Sequence, residues 1–174
     1  MLTKTDIEQY FLSEKTAGLI LMIAGAVAII AAVSFLVFVK TSTYKGIAIP
    51  LILLGIAQLV MGYAPYNKSD KQRIDNVYAF DMNPGKLKTE EIPRMQKMLS
   101  SVKRFLCIEL AVLAAGIILI LVNRHDAGNT SSKAFWMGAG IALAIQSFIF
   151  FSVDLFVLKN AKQYSAALEQ FAKG

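Results

Sequence analysis

Four long apolar runs alternate with polar segments along the chain. They cover residues 16–39, 46–64, 105–122 and 134–158. Each run is long enough to cross the hydrocarbon core of a bilayer, roughly 30 Å thick, as a helix. The pattern therefore predicts an all-α integral membrane four-helix bundle that forms a single membrane domain over residues 1–174.

The composition agrees with a chain that is solvated by lipid. Hydrophobic residues make up 56% of it, charged residues only 17%, and the mean hydropathy is +0.53, whereas a soluble domain is about 45–50% apolar. The first run follows three acidic residues and is 24 residues long. A signal peptide instead has a basic start and about 7–15 apolar residues, so we expect this run to be retained.

The basic residues are distributed so unevenly that they indicate an orientation. Lys and Arg number 2 before the first run, 9 in residues 65–104, 3 in residues 159–174, and 2 in each remaining loop. One side of a four-span protein thus carries 14 and the other 4. Because the richer side faces the cytoplasm, the count predicts cytoplasmic termini, a cytoplasmic loop 65–104 and a cytoplasmic tail 159–174. This distribution of basic residues explains the net charge of +6, so no nucleic-acid partner is needed to explain it.

Short motifs predict helices outside the four runs. Thr5-Asp6-Ile7-Glu8 and Ser69-Asp70-Lys71-Gln72 have the spacing of a capping box, which begins a helix. The first motif favours a short helix on the membrane surface, with an extension of the first span as the alternative. After the second motif, Asn83-Pro84-Gly85 predicts a turn, and Thr89 is the expected cap of the next helix.

The third and fourth spans are expected to continue as long helices beyond their apolar runs. Apolar residues recur at spacings of three and four in the polar segments that precede the third run and follow the fourth. These stripes include Met95, Leu99 and Val102 in one segment, and Ala161, Tyr164 and Leu168 in the other. The two stripes predict an antiparallel cytoplasmic stalk about 20 Å long that offers a surface for a partner. The alternative is that each stripe lies on the membrane.

Three polar residues inside the runs are candidates for function. Glu109 and Asp154 are the only acidic residues there, and burying an ionisable group in hydrocarbon is costly. Their similar depth predicts a shared interior site, which Gln58 is placed to join, and which would bind a proton or cation. The alternative is that neighbouring basic side chains neutralise both acids and the acids fix helix register. Gln146 is expected to make an interhelical hydrogen bond.

The remaining chemistry points away from catalysis. The chain has no Gly-rich phosphate loop, no supported Ser/His/Asp set and no metal-ligand spacing around its single histidine, so we expect no enzyme activity, metal or cofactor. Small residues recur at helical spacing in the runs, which predicts close helix packing. The basic loop is suited to anionic lipid head groups or to a protein partner.

Residues spread over most of the chain resemble a family of small four-span bacterial inner-membrane proteins. They are Lys45-Gly46, Pro50-Leu51, Gly55, Gln58-Leu59, Gly62, Asp70, Gln72, Asn83-Pro84, Glu91, Arg94-Met95, Glu109, Asp154, Ala161 and Tyr164. The most specific part is Glu91 with Arg94 and Met95, followed by Glu109. Asn83-Pro84 departs from the family's Asp-Pro. The resemblance implies four spans and a bacterial inner membrane, and it implies no activity.

These observations support two functional hypotheses. The first is a non-catalytic structural or partner-binding module, which binds a protein partner or another copy of itself through its cytoplasmic stalk and basic loop. The second is a proton- or cation-handling channel or transporter subunit that uses Glu109 and Asp154. An enzyme acting on lipid has no nucleophile or metal set to support it.

The topology can be tested with reporter fusions. A reporter attached after Gly174 and one inserted at Asp81 should both read cytoplasmic, because both positions belong to the side with 14 basic residues. A periplasmic reading at either position would contradict the orientation.

Overall fold

The computed structural model describes residues 2–39, 41–125, 127–128 and 130–173. It is 94% helical, which confirms the all-α fold. The four long helices are α1 Lys4–Phe38, α2 Ser42–Met82, α3 Pro84–Asn123 and α4 Ser131–Lys173. All four are long and apolar enough to cross a membrane, and each predicted run lies within one of them except for Val39. Lys40 and Gly174, which the charge count and the fusion test use, lie outside the described residues.

Helix α1 begins earlier than the sequence motif predicts. The capping box is formed by Thr3 and Asp6: the Thr3 N–H donates to Asp6 Oδ2 at 2.8 Å, and the Asp6 N–H donates to Thr3 Oγ1 at 3.2 Å. The helix then continues without a break to Phe38, so the N-terminal segment extends the first span. The predicted surface helix is wrong, because its apolar side chains Ile7 and Phe11 are buried in a helical core.

Helix α2 continues for 41 residues and contains the second predicted capping box in its interior. Ser69 does not begin a new helix; its hydroxyl donates to the Pro65 carbonyl at 2.6 Å, a bond that Ser makes inside helices. Packing explains the continuity, since Ser69 and Ala79 are both buried. The helix ends at Met82, where Asn83 leaves the helical conformation, as the turn motif predicts.

Helix α3 begins at Pro84, where a missing N–H costs nothing in the first turn. Thr89 is therefore inside the helix rather than its cap, and its hydroxyl donates to the Gly85 carbonyl at 3.2 Å. The segment Leu87–Glu91 forms a wider π-helical turn, and a regular α-helix follows over Ile92–Asn123. Residues 65–104 are consequently helical apart from Asn83.

The chain divides into two compact units, and each long helix contributes a segment to both. Unit 1 comprises Met1–Ile20, Gly62–Leu106 and Val153–Gly174. Unit 2 comprises Leu21–Met61 and Cys107–Ser152.

Unit 1 has a core of large side chains from all four helices. Its buried residues are Leu2, Ile7, Tyr10, Phe11, Ala79, Leu87, Met95, Ala161, Tyr164 and Leu168. The stripes of α3 and α4 therefore share one core, as the stalk hypothesis expects, but α1 and α2 complete it. The two-helix stalk is thus corrected to a packing of four helices, in which full burial of each large apolar side chain contributes about 1.5–3 kcal/mol.

Unit 2 is packed through small residues. A Cβ atom at Gly25 would lie 2.6 Å from the Gly55 carbonyl oxygen, and one at Gly116 would lie 2.9 Å from that of Gly140, so the helix backbones touch at these positions. Ala32 is fully buried in the same unit. This confirms the close packing predicted from the small residues and assigns it to contacts within one chain.

Gly46 provides a test of this close approach. A Cβ there would collide with the backbone of Phe135 on α4, so Gly46→Ala should lower the free energy of unfolding by about 1–3 kcal/mol, as overpacking does. The matched control is Gly85→Ala, also in a helix, where the nearest atom is 3.5 Å away. Thermal unfolding in detergent should show a loss of stability for Gly46→Ala only. An equal effect of both variants would contradict the close approach of Gly46 to Phe135.

Candidate functional site

The core of unit 1 contains a polar group of side chains around Arg94. We call it the ionic cluster and define it as Tyr10, Glu14, Glu91, Arg94 and Tyr164. Its members come from α1, α3 and α4. Two of them carry carboxylates and one carries a guanidinium, so the cluster joins three helices through charge as well as through apolar contact.

Glu91 and Arg94 form the centre of the cluster. Arg94 Nε donates to Glu91 Oε2 and Arg94 Nη2 donates to Glu91 Oε1, both at 2.7 Å. Glu91 is only 5% exposed. The two residues are three apart on α3, and Glu91 is the last residue of the π-helical turn. A planar guanidinium matches a carboxylate in this two-bond arrangement, which offsets part of the cost of burying the Glu91 carboxylate.

Aromatic rings surround the guanidinium on the side of α1 and α4. The rings of Tyr10 and Tyr164 are stacked with centroids 4.5 Å apart, and Phe11 meets Tyr164 edge to face at 6.0 Å. Arg94 Cζ lies 5.3 Å from the Phe11 centroid and 5.8 Å from that of Tyr10. A cation over desolvated rings gains up to about 2 kcal/mol, so these rings hold Arg94 as well as filling the core.

Glu14 lies one helical turn beyond Tyr10, so the two share a face of α1. Its Oε2 atom is buried and makes no hydrogen bond among the described residues, and the same holds for the hydroxyl oxygens of Tyr10 and Tyr164. Buried polar atoms are usually paired. Three such atoms lie next to one ion pair, where Glu14 interacts with Tyr10 and Tyr164 interacts with Glu91.

The electrostatics of the cluster follow from burial and from its excess of carboxylates. Burial raises the pKa of Glu14, and the Glu91 carboxylate raises it too, while Arg94 acts in the opposite direction. Burial and the nearby carboxylates also raise the pKa of the Tyr10 and Tyr164 hydroxyls. Burial alone would lower the pKa of Arg94, but its bonds to Glu91 outweigh this and raise it.

Two polar cavities adjoin the cluster. The larger, of about 180 Å³, is lined by Glu91 and Arg94 together with Lys86, Glu90 and three side chains of α2. The smaller, of about 80 Å³, is lined by Tyr10 and Tyr164 among others. Since one water needs about 10–15 Å³ of such space, both can hold several waters beside the cluster.

The side chains of the cluster are of types that can exchange protons. Its carboxylates and phenols can hold or release protons, and its guanidinium stays charged. Among the described residues, no three His, Cys, Asp or Glu side chains gather as they would around a metal ion.

The predicted stalk surface lies inside this core. Met95, Ala161 and Leu168 are buried, as are Val102 and Tyr164, and Leu99 packs partly against the same core. Five of these six residues, all but Val102, therefore pack in one core within the chain, and in this structure the six do not form an exposed surface for a partner.

The predicted acidic site is divided between the two units. Glu109 is buried in unit 2, and Asp154 is partly buried in unit 1. Gln58, the third predicted member, is fully buried in unit 2 and donates from Nε2 to Gln146 Oε1 at 2.7 Å. This confirms the interhelical hydrogen bond expected of Gln146. A site shared by Glu109 and Asp154 stays a prediction.

Sequence reasoning missed the ionic cluster because its parts look ordinary along the chain. Glu91 and Arg94 have the spacing of an exposed helix pair, and Glu14 looks like a solvated residue before the first span. One signal was present: Glu91 and Arg94 belong to the most specific part of the family resemblance.

Comparison with known proteins adds no relative: no family model, no characterised protein and no solved structure matches this chain. The structure by itself defines the class, an all-α protein with four helices long and apolar enough to span a membrane.

The ion pair can be tested by removing one partner or both. Arg94→Met should lower the free energy of unfolding by about 3–5 kcal/mol, because it leaves the Glu91 carboxylate buried without its partner. The double variant Glu91→Gln/Arg94→Met should recover most of that loss. Glu90→Gln is the control, since its side chain is 69% exposed and exposed pairs contribute about 0–1 kcal/mol. Denaturant unfolding in detergent measures all three, and a single variant as stable as the double variant would contradict a buried pair.

Proposed function

We propose that this chain is a four-span protein of a bacterial inner membrane, with unit 1 on the cytoplasmic side. The exterior of unit 2 supports immersion in lipid: Ile30, Leu53 and Val122 are among many large apolar side chains exposed there. All 14 basic residues of the basic-rich side fall within unit 1 and the other 4 within unit 2, which favours this orientation. The family resemblance supports the bacterial inner membrane.

In this proposal the protein is a non-catalytic membrane module, and its function is self-association through unit 1. The observation that carries the proposal is an apolar row on α2. Ile74, Tyr78 and Met82 are spaced by four and are 62%, 65% and 70% exposed, although unit 1 buries many other apolar residues in a core of its own. An exposed apolar row on a helix is typical of an interaction surface.

The occupant that fits this row best is a second copy of the same chain. Two copies in one membrane have the same orientation, so a symmetric pair places the α2 helices side by side and parallel, with apolar row against apolar row. Asp75 and Asp81 are acids beside the row, and the charge of Asp81 is met by Lys4 of α1, whose Nζ lies 2.8 Å from Asp81 Oδ2. Like-charge repulsion between the two copies is reduced accordingly.

Anionic lipid head groups are proposed as a second contact of unit 1. Lys68, Lys103, Arg104 and Lys159 are exposed and lie within about five residues of the ends of the predicted apolar runs. Basic side chains near a membrane surface each contribute about 1 kcal/mol to binding anionic lipid.

Ion transport is the alternative function, and it stays a prediction. The observation in its favour is the burial of Glu109 in unit 2, because ionisable groups at membrane depth often mark an ion pathway. Gln58 is hydrogen-bonded to Gln146. This bond joins two helices and does not support an ion pathway.

A cysteine at position 78 tests the pairing of two copies. In a Cys107→Ala background, Tyr78→Cys should form a disulfide-linked dimer in native membranes, because parallel rows bring the two copies of this position together. Lys162→Cys is the control, since Lys162 is exposed on α4 and not on the helix that carries the row. Equal cross-linking at both positions, or none at position 78, would contradict the proposal. A photoreactive residue at position 78 provides a second test: a cross-link to a different protein in place of the dimer would also contradict the proposal.

A further inference from the structure

The charges of the ionic cluster do not balance. Glu14 and Glu91 bring two carboxylates to one guanidinium, that of Arg94, in a region where all three interact. Two carboxylates that share a poorly solvated site do not both ionise at low cost. The cluster therefore needs either a further cation or a proton.

Glu14 is the carboxylate that forms no described ion-pair bond with Arg94. Two donor groups of Arg94, Nε and Nη2, are bonded to Glu91, whereas Glu14 Oε2 is buried without a hydrogen bond. Its residue is partly buried as a whole, which leaves the carboxyl group at the edge of the core, within reach of solvent protons.

The other charges near Glu14 do not supply the missing cation. On α1, Lys15 follows Glu14 in sequence but bonds to Asp70 of α2, and Arg73 of α2 lies 3.7 Å from the same Asp70. On α3 the facing charges are Glu91 and Arg94. The other groups of α1 and α4 in the cluster are the phenols of Tyr10 and Tyr164, whose pKa is raised, so they stay neutral.

We propose that Glu14 is a proton-binding site of unit 1, which holds its proton in the folded protein and releases it as the pH rises. The step is a simple exchange: a proton from water forms an O–H bond on the Glu14 carboxylate, and the reverse step returns it to water. No electron transfer or other reactant is involved. The polar cavities lined by Glu91 and Arg94 and by Tyr10 and Tyr164 bring water to the neighbours of Glu14.

Release of the proton weakens the contact of α1 with α3 and α4. The ionised Glu14 places a second negative charge beside Glu91 and competes with it for Arg94. Because Tyr10 and Phe11 of α1 pack on Arg94 and Tyr164, the same repulsion acts where α1 joins the core. The site therefore makes the packing of unit 1 dependent on pH, and it does so whichever way the protein is oriented.

The direction of the pH effect follows from the raised pKa of Glu14. A carboxyl group that binds its proton more tightly in the folded than in the unfolded state adds stability that is complete below its usual pKa of 4.5. That stability is lost as the pH rises through the folded-state pKa. Wild-type protein should thus be less stable at about pH 8 than at about pH 5.

Thermal unfolding of the full chain in detergent, measured between about pH 5 and about pH 8, tests the site. Glu14→Gln mimics the protonated form, so it should raise the melting temperature at the upper pH and reduce the difference between the two pH values. The control is Glu8→Gln, which removes an exposed carboxylate from the same helix and should keep the wild-type profile. A Glu14→Gln variant with the full wild-type pH dependence, or with a lower melting temperature at the upper pH, would overturn the proposal.

Infrared difference spectroscopy gives a readout that a purely structural role would not change. Between the same pH values the wild type and Glu8→Gln should show loss of the carbonyl stretch of a protonated carboxylic acid, with a shift in D₂O, and Glu14→Gln should lack that band. If the wild type shows no such band that titrates above pH 4.5, the proposal is overturned by the wild type alone. If the band persists in Glu14→Gln, the proton belongs to another residue, and the proposal is overturned as well.

Discussion

A buried carboxylate must keep its guanidinium, and unit 1 is organised around that requirement. Moving a charge out of water costs several kcal/mol, so the bonds of the buried Glu91 to Arg94 have to be held in one geometry. The π-helical turn presents Glu91 to the core, and the rings of Tyr10 and Phe11 cover Arg94. The packing of α1, α3 and α4 in this unit follows from how these groups enclose one ion pair.

The two units solve the packing of the same four helices with different side chains. Unit 1 uses large aromatic and apolar residues, which gain most when they are withdrawn from water. Unit 2 has glycines and alanines at its helix contacts and a bonded pair of glutamines, Gln58 and Gln146. Small residues and polar pairs are how helices associate when hydrophobic burial offers no gain. The side chains of each unit are thus suited to a different solvent.

The apolar runs could be located from the sequence because their length and hydropathy are properties of single segments. The starts of helices could not: Ser69 looks like a cap, but its burial and the helical face that leads to Ala79 outweigh the local signal. The ionic cluster was hidden for a related reason. Glu14 and Arg94 are 80 residues apart in sequence, and an acid and a base three apart on a helix look like a surface pair until the burial of Glu91 is known.

The wide turn at Leu87–Glu91 also sets the rotational phase of α3. Leu87, Glu91 and Met95 are all buried at a spacing of four, yet in a regular helix with 3.6 residues per turn an eight-residue step ends about 80° from where it began. The π-helical turn absorbs this difference, since it closes its hydrogen bonds over one additional residue. Loss of one residue from this segment would therefore close the π-helical turn into a regular one and keep the phase, whereas loss of one residue from the regular helix Ile92–Asn123 would turn everything beyond it by about 100°.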